Sequence, residues 1–286
     1  MSSASATVAD EREFPFSTDE FRFIASLVYD RSGIVLAAHK KDMVYTRLAR
    51  RLRALRLPSF RDYCALIQGD QGAEETTFLI NAITTNLTRF FREGHHFDHL
   101  KQTVLRDMAE HPSQNRRLRI WSAGCSSGEE PYSIAVTLAD GLPRLAQWDA
   151  RILATDLDTS MVEKARAGIY PAAALTGVSD QVIARHFEHQ RGAEDLPRRV
   201  SEALRRLITF KQLNLLGPWP MKGPFDAIFC RNVMIYFDAP TKTELVRRYA
   251  ELLKPHGWLY IGHSESLLDG QSRFRLKGRT IYQKVA

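Results

Sequence analysis

Apolar residues in the first third of the chain recur three and four positions apart, while further on they form short alternating runs separated by helical stretches. Ser17, Thr18, Asp19 and Glu20 form an N-cap cluster, with Glu20 three residues after Ser17 as in a capping box. Phe21, Ile24, Leu27 and Val28 then follow at the helical period, and Gly33 closes that helix. The pattern predicts further helices over Lys40–Arg56, Phe60–Gln68 and Ala73–Asn86, with no strand before residue 117. From Arg117 to Ser122 the period becomes that of a strand. It runs into a turn of small residues, Ala123–Gly128, and then a helix over Glu129–Ala139. Further strands are expected at Ala150–Thr155, Leu207–Leu213, Phe225–Cys230, Trp258–Gly262 and Thr280–Val285, with a helix over Thr159–Ala167. Strands alternating with helices imply crossover connections and a mostly parallel sheet.

The expected fold class is therefore α/β, a doubly wound, mostly parallel sheet preceded by a small all-α domain. Residues 1–16 read as a frayed tail, 17–90 as the helical domain, 91–115 as a linker or connecting helix, and 116–286 as the α/β domain. The stretch from Tyr170 to Arg206 is longer than a simple crossover, with a helical piece at Asp180–His189 and mixed charge from Gly192 to Arg199. Long excursions inside a domain are commonly functional or form a subdomain, and a small insert is expected around 190–213.

In an open parallel sheet, ligands bind beyond the carboxyl ends of the strands. The first strand-to-helix turn here runs from Ser122 to Glu130, and its small residues allow close backbone approach. It is neither the dinucleotide fingerprint, having glycines only at 124 and 128, nor a P-loop. Glu129 and Glu130 open the following helix. They suit the helix dipole, but they would repel a pyrophosphate, which argues against NAD or ATP and favours a ligand with a cationic group such as an amino acid moiety. Asp156 ends the second strand, where an acid commonly bonds ribose hydroxyls. Asp158 or Thr159 is better placed to cap the next helix, leaving Asp156 for a ligand. A ribose, an amino group and no phosphate point to S-adenosylmethionine.

Composition narrows the picture. Of 286 residues 44% are hydrophobic and 26% charged, as in ordinary globular proteins. The net charge of +7 and a pI near 9.4 suggest an acidic partner. Cys64, Cys125 and Cys230 are odd in number and far apart, so neither a disulfide framework nor a zinc site is expected. No apolar run reaches the ~18 residues of a membrane helix, and the N-terminal residues lack a signal peptide's basic and apolar regions. The expectation is a cytoplasmic protein with no metal and no membrane insertion.

Asn81–Glu93, Trp121–Ser133, Ala154–Asp156, Asn214–Leu215, Phe225–Asp238 and Gly262–Glu265 together form an ordered motif set. On these stretches the chain resembles the chemotaxis receptor methyltransferase (CheR) family from about residue 17 onward. The resemblance implies transfer of a methyl group from S-adenosylmethionine to glutamate side chains of chemoreceptors, with S-adenosylhomocysteine as product. It implies that Asn86, Thr88 and Arg92 contact the cofactor, that Glu130 rather than Glu129, with Asp156, holds its methionine and ribose parts, and that Asn214, Leu215, Arg231 and Asn232 complete the pocket. Tyr236 and Arg92 correspond to positions near the transferred methyl. Taken singly, Thr84–Asn86 reads as a helix cap, Arg92 as a solvated charge and Tyr236 as a core aromatic; the ordered set outweighs those readings. One departure is Gly124-Cys125, where some members have alanines; all are small.

A glutamate side chain, whose ordinary pKa is near ~4.3, is already ionised at neutral pH and needs no general base. Catalysis reduces to positioning and desolvation, which accounts for the lack of a Ser-His-Asp or Cys-His signature. A neutral Tyr236 hydroxyl can orient the carboxylate without over-stabilising the charged reactants.

The helix at 40–56 carries seven basic residues and one acid, Asp42. Val44, Leu48, Leu52 and Leu55 form its buried stripe, which puts Arg47, Arg50 and Arg53 on an exposed face. Like charges at this density call for an acidic partner, which the resemblance makes the methylated cytoplasmic helices of a chemoreceptor. A receptor C-terminal peptide, docked on a small inserted β-subdomain, is a further partner found for some family members; here it stays open. Nucleic acid is not expected, since no binding motif or interleaved stacking aromatics accompany the arginines. The alternatives are an S-adenosylmethionine-dependent methyltransferase acting on RNA or a small molecule, and a non-catalytic adaptor; Arg92, Asp156 and Tyr236 together speak against the adaptor.

Overall fold

The computed structural model describes residues 12–70, 72–188, 196–267 and 273–285, in two compact units, 1–84 and 85–286. In the first unit α1 (Thr18–Ser32) carries the expected capping box, the Ser17 hydroxyl accepting from Glu20 N at 3.1 Å and the Glu20 carboxylate accepting from Ser17 N at 2.6 Å. It ends at Gly33, left-handed with φ 71°, where glycine carries no Cβ penalty. There follow α2 (Lys41–Leu55), α3 (Phe60–Gln68) and α4 (Gly72–Ile83). The last ends three residues short of the expected Asn86. The buried stripe of α2 is Val44, Leu48, Ala49 and Leu52, with Leu55 only half-buried. Residues 12–16, expected as tail, are partly tied down: Phe14 and Phe16 are buried, Phe16 stacks on Phe60 with ring centroids 4.1 Å apart, and Arg12 bonds Asp42 at 2.9 Å. Residues 1–11 lie outside the described residues.

In the second unit, residues 91–115 are not an extended linker. They hold α5 (His95–His99), a π-helical stretch over Leu100–Leu105 and α6 (Arg106–Glu110), with His96, Phe97, Leu100, Val104 and Leu105 buried. The strands are β1 (Arg117–Ala123), β2 (Asp149–Asp156), β3 (Ile169–Tyr170), β4 (Phe187–Glu188), β5 (Arg198–Val200), β6 (Ile208–Gln212), β7 (Phe225–Cys230), β8 (Leu253–Ile261), β9 (Phe274–Gly278) and β10 (Ile281–Lys284). Between them run α7 (Glu129–Gly141), α8 (Thr159–Ala167), α9 (Asp180–His186), α10 (Glu202–Arg205) and α11 (Ala239–Leu252).

Seven strands form the main sheet in the order β6-β2-β1-β7-β8-β10-β9, parallel from β6 through β8 and antiparallel at β10 and β9. The chain leaves β1 toward β2 and returns to β7 on β1's other side, which makes the carboxyl end of β1 the switch point where a ligand crevice opens. Ser122 stands level with Ala154 of β2 and Phe229 of β7, so the turns after these three strands converge.

The insert overlaps the expected 190–213 only in part. A second sheet, ordered β3-β5-β4, is built from 169–170, 187–188 and 198–200, whereas 208–212 is the edge strand of the main sheet. Gly192 and the rest of 189–195 lie outside the described residues. Two features were illegible in the pattern. β9 is nearly all exposed or half-exposed and so shows no apolar alternation. β8 begins before Pro255 and Gly257 and absorbs them in an irregularity between its pairings with Phe225 and Ala227 of β7.

Candidate functional site

The turn after β1 is fixed by its backbone. Gly124 N and Cys125 N both donate to Thr155 O, at 2.8 and 2.9 Å, and Ser126 N donates to Asp156 Oδ2 at 2.7 Å. Gly124 has φ 112°, and a Cβ there would lie 2.3 Å from Val233 Cγ2; Gly128 has φ 101°, and a Cβ there would lie 2.7 Å from the Tyr170 hydroxyl. The turn is thus closed in behind by the 231–236 segment and by Tyr170, and only glycine fits both places.

Asp158, 1% exposed, is the α8 N-cap as expected, accepting from Ser160 N and Met161 N. Asp156 is not idle, however. Its Oδ2 takes Ser126 N and its Oδ1 takes Asp158 N at 2.9 Å. A carboxylate has about four acceptor directions, so acceptor capacity remains beyond these backbone groups. Burial pushes this carboxyl above the ordinary aspartate value, against the backbone N–H groups of Asp158, Ser126 and Leu157. Asn86 Nδ2 donates to Asp158 Oδ2 at 2.9 Å, and Ser126 Oγ donates to Asn86 O at 3.3 Å, which joins the 85–94 loop to this corner.

Glu129 and Glu130 are both buried, but they face different partners. Glu129 accepts from Ser127 Oγ at 2.7 Å. Glu130 accepts from Ser122 Oγ at 2.7 Å and from Arg231 Nη1 at 3.0 Å, at the end of β1. Burial raises both carboxyls, in Glu130 against Arg231 and Ser122. The Arg231 side chain, expected to complete the pocket, is engaged with protein partners. It is 6% exposed and bonds Glu130 and the Arg92 carbonyl, with Glu93 Oε2 at 3.4 Å. Its place is behind Glu130.

The segment after β7 is held by Glu265, whose carboxylate accepts from Asn232 N at 2.9 Å, Ile235 N at 3.1 Å and Gly262 N. Asn232 has φ 59° and Tyr236 ends a 3-10 turn, Met234–Tyr236, half-buried. Asn214 Oδ1 accepts from Leu216 N at 3.0 Å, and Leu215, buried, follows β6. Thr88 and Arg92 are half-buried in the loop before α5, where Arg92 Nη1 donates to Leu87 O at 2.8 Å. Ser122, Ser126, Glu93 and Glu265 were not singled out from the sequence, and Asp158 only as a cap; Glu93 and Glu265 close two of the motif stretches, which was the available signal.

Arg47, in the first unit, is not an exposed charge. Its Nη1 donates to Ile83 O at 2.5 Å, Thr84 O at 2.9 Å and Ala82 O at 3.2 Å, carbonyls at and just past the end of α4. Arg50 is exposed, and Arg53 is exposed but paired with Glu13 at 2.8 Å.

The second-unit residues fit S-adenosylmethionine. A glycine turn admits close approach, a buried acid at the end of β1 suits an ammonium, and an acid with remaining acceptor capacity at the end of β2 suits a ribose diol. Among the described residues no helix is long and apolar enough to cross a membrane.

Comparison with known proteins agrees. A family model for the CheR methyltransferase SAM binding domain matches residues 86–283, and one for the CheR methyltransferase all-alpha domain matches 19–84. The chain is 47% identical over 267 residues to a chemotaxis protein methyltransferase of Salmonella typhimurium, covering 93% of this chain and 90% of that one. It is 47% identical over 268 residues to one of Escherichia coli, covering 93% and 91%. It is 42% identical over 281 residues to chemotaxis protein methyltransferase 2 of Pseudomonas aeruginosa, covering 98% of each.

Proposed function

The chain belongs to the CheR methyltransferase family, and on that premise we propose that it esterifies glutamate side chains of chemoreceptors at the ends of β1, β2 and β7. It is an S-adenosylmethionine-dependent methyltransferase of chemotaxis, and a role on RNA or a small molecule is not favoured. The observation that carries the site reading is the pair of acids flanking one glycine turn, Glu130 buried and Asp156 half-buried.

In this reading Glu130 holds the cofactor's ammonium group and Asp156 its ribose hydroxyls. Asn86, Thr88, Arg92, Asn214, Leu215 and Asn232 surround them, and Arg231 acts from behind. When bound, S-adenosylmethionine supplies a methyl group on a sulfonium sulfur. The acceptor glutamate needs no base, so the protein's task is to strip it of water and aim it. The Tyr236 hydroxyl orients the acceptor carboxylate, and Arg92 lines the same end of the site. Tyr236 suits the task because a neutral donor does not over-stabilise a cation and an anion that both become neutral on transfer.

Receptor docking falls to Arg50 and Arg53 of α2, which offer positive charge to an acidic helix surface; Arg47 is withdrawn from this role by its α4 contacts. A receptor C-terminal peptide would add to the small β3-β5-β4 sheet by strand addition. The test is labelled methyl transfer from S-adenosylmethionine to receptor-containing membranes. Label released by mild base, as a carboxyl ester is, supports the reading; base-stable label, or label in RNA alone, overturns it.

A further inference from the structure

We propose that Glu93 is a positioning residue for cofactor recognition: by sharing the Arg231 guanidinium with Glu130, it leaves Glu130 negative enough to hold an ammonium group. The inference rests on the reading of Glu130 given above. One buried guanidinium faces two carboxylates, Glu130 Oε2 at 3.0 Å and Glu93 Oε2 at 3.4 Å, while also bonding the Arg92 carbonyl. These three groups carry one positive and two negative charges, and an ammonium at Glu130 completes the balance. With Glu93 neutral, Arg231 and Glu130 would neutralise each other, and the attraction for a second cation at Glu130 would fall. In a buried setting that difference is weakly screened.

The surroundings of Glu93 leave its Oε2 to this cation, while the partly exposed Arg92 Nε lies farther off, 3.9 Å from Oε1. His96 is fully buried, and its Nε2 lies 2.9 Å from Thr280 Oγ1. The Thr280 hydroxyl itself donates to Arg279 O at 2.7 Å, so it can only accept from the ring, and His96 Nε2 carries the proton. Nδ1 of the neutral ring is then a bare acceptor, 3.7 Å from Glu93 Oε2, and neither atom has a hydrogen-bond partner. No proton bridges them, and Oε2 is left to Arg231. On its other side Glu93 Oε1 is anchored by His263 Nδ1 at 2.9 Å. Burial would raise the Glu93 carboxyl, but the bond from His263 and the charge of Arg231 outweigh it and bring it down to about 2, so it is ionised at any working pH. The backbone is also held away from its ordinary states, with φ 51° at Phe91 and 57° at Glu93. Such conformations persist where the surroundings over-determine them, often at ligand sites.

The test compares two ligands by calorimetry, S-adenosylhomocysteine and methylthioadenosine, which lacks the amino acid moiety. Glu93→Gln should weaken S-adenosylhomocysteine binding about tenfold or more while changing methylthioadenosine binding less than about twofold, since only the ammonium interaction is lost. Glu93→Asp, which keeps the charge should the amide disturb folding, should show a smaller loss with the same selectivity. Equal loss for both ligands would make Glu93 a general structural residue, and no loss for either would remove it from the site; each overturns the inference. Glu130→Gln separates the two layers of argument. If it weakens S-adenosylhomocysteine selectively and the Glu93 variants do not, the Glu93 inference fails alone; if it shows no selectivity, the ammonium reading of Glu130 fails with it.

Discussion

Tyr236 ends a short turn whose backbone is pinned by Glu265 through Asn232 N and Ile235 N, so its ring is aimed by the main chain. Deleting the hydroxyl alone therefore leaves the turn in place. Tyr236→Phe should keep the fold and the affinity for S-adenosylhomocysteine, yet lower the rate of methyl transfer at least about tenfold, or about 1.4 kcal/mol of barrier. Single-turnover rates at saturating cofactor and receptor check this, and a normal rate would reduce Tyr236 to a packing residue. At this scale the sequence was informative about residue type and poor about partners. Asp156 stood out because an acid at that strand end commonly bonds a ribose, and Glu130 because the motif resemblance picks it from the two acids that open the helix. Nothing in the sequence could reveal that Arg231 turns inward to Glu130 or that Asn232 N and Ile235 N converge on Glu265, because those contacts link residues 101 and about 30 positions apart.

Helix α2 shows what periodicity can and cannot assign. The apolar stripe correctly set one face inward, but Arg47 lies at its margin, where a long side chain can reach a neighbouring element. It caps the end of α4, whose last carbonyls need donors. The exposed basic face reduces to Arg50 and Arg53. The double variant Arg50→Ala with Arg53→Ala should weaken receptor methylation and leave cofactor affinity unchanged. The loss should shrink as salt rises past about 0.15 M, since exposed charges are screened over about 8 Å there. Receptor-concentration series at two ionic strengths measure this, and normal methylation at low salt would end the acidic-partner argument. Arg47→Ala, by contrast, should lower thermal stability. Likewise, helices and central strands were legible because burial writes a period into them, while β3, β4, β5 and β9 were not, being two to five residues long or mostly exposed.

Across the second unit, buried titratable groups set how stability responds to acid. His96 is fully buried against Tyr260 of β8, with Thr280 ahead of β10 and with Glu93, Arg231 and His95 beside it. Burial first, then the charges of Arg231 and His95, lower it from 6.5 to about 3, against the pull of Glu93. A histidine depressed in the fold stays neutral there while the unfolded chain takes up a proton. Its contribution is thus complete above about 6.5 and is lost as pH falls toward about 3, by up to about 1.4 kcal/mol per pH unit. Glu93, held down at about 2, acts in the same sense but only below its ordinary 4.5. Glu130, Asp156 and Glu265, pushed up by burial, act in the opposite sense, because they favour the protonated form in the fold. Between about 6.5 and 4.5 the depressed histidines His96 and His99 lower stability as pH falls while the raised acids oppose them, so His96 is read as the difference between the parent chain and a variant. His96→Gln can keep a donor toward Thr280 and removes the titration. Urea unfolding at a series of pH values should show falling pH in that window destabilising the parent chain distinctly more than the glutamine variant. Parallel curves would place the acid sensitivity in another group.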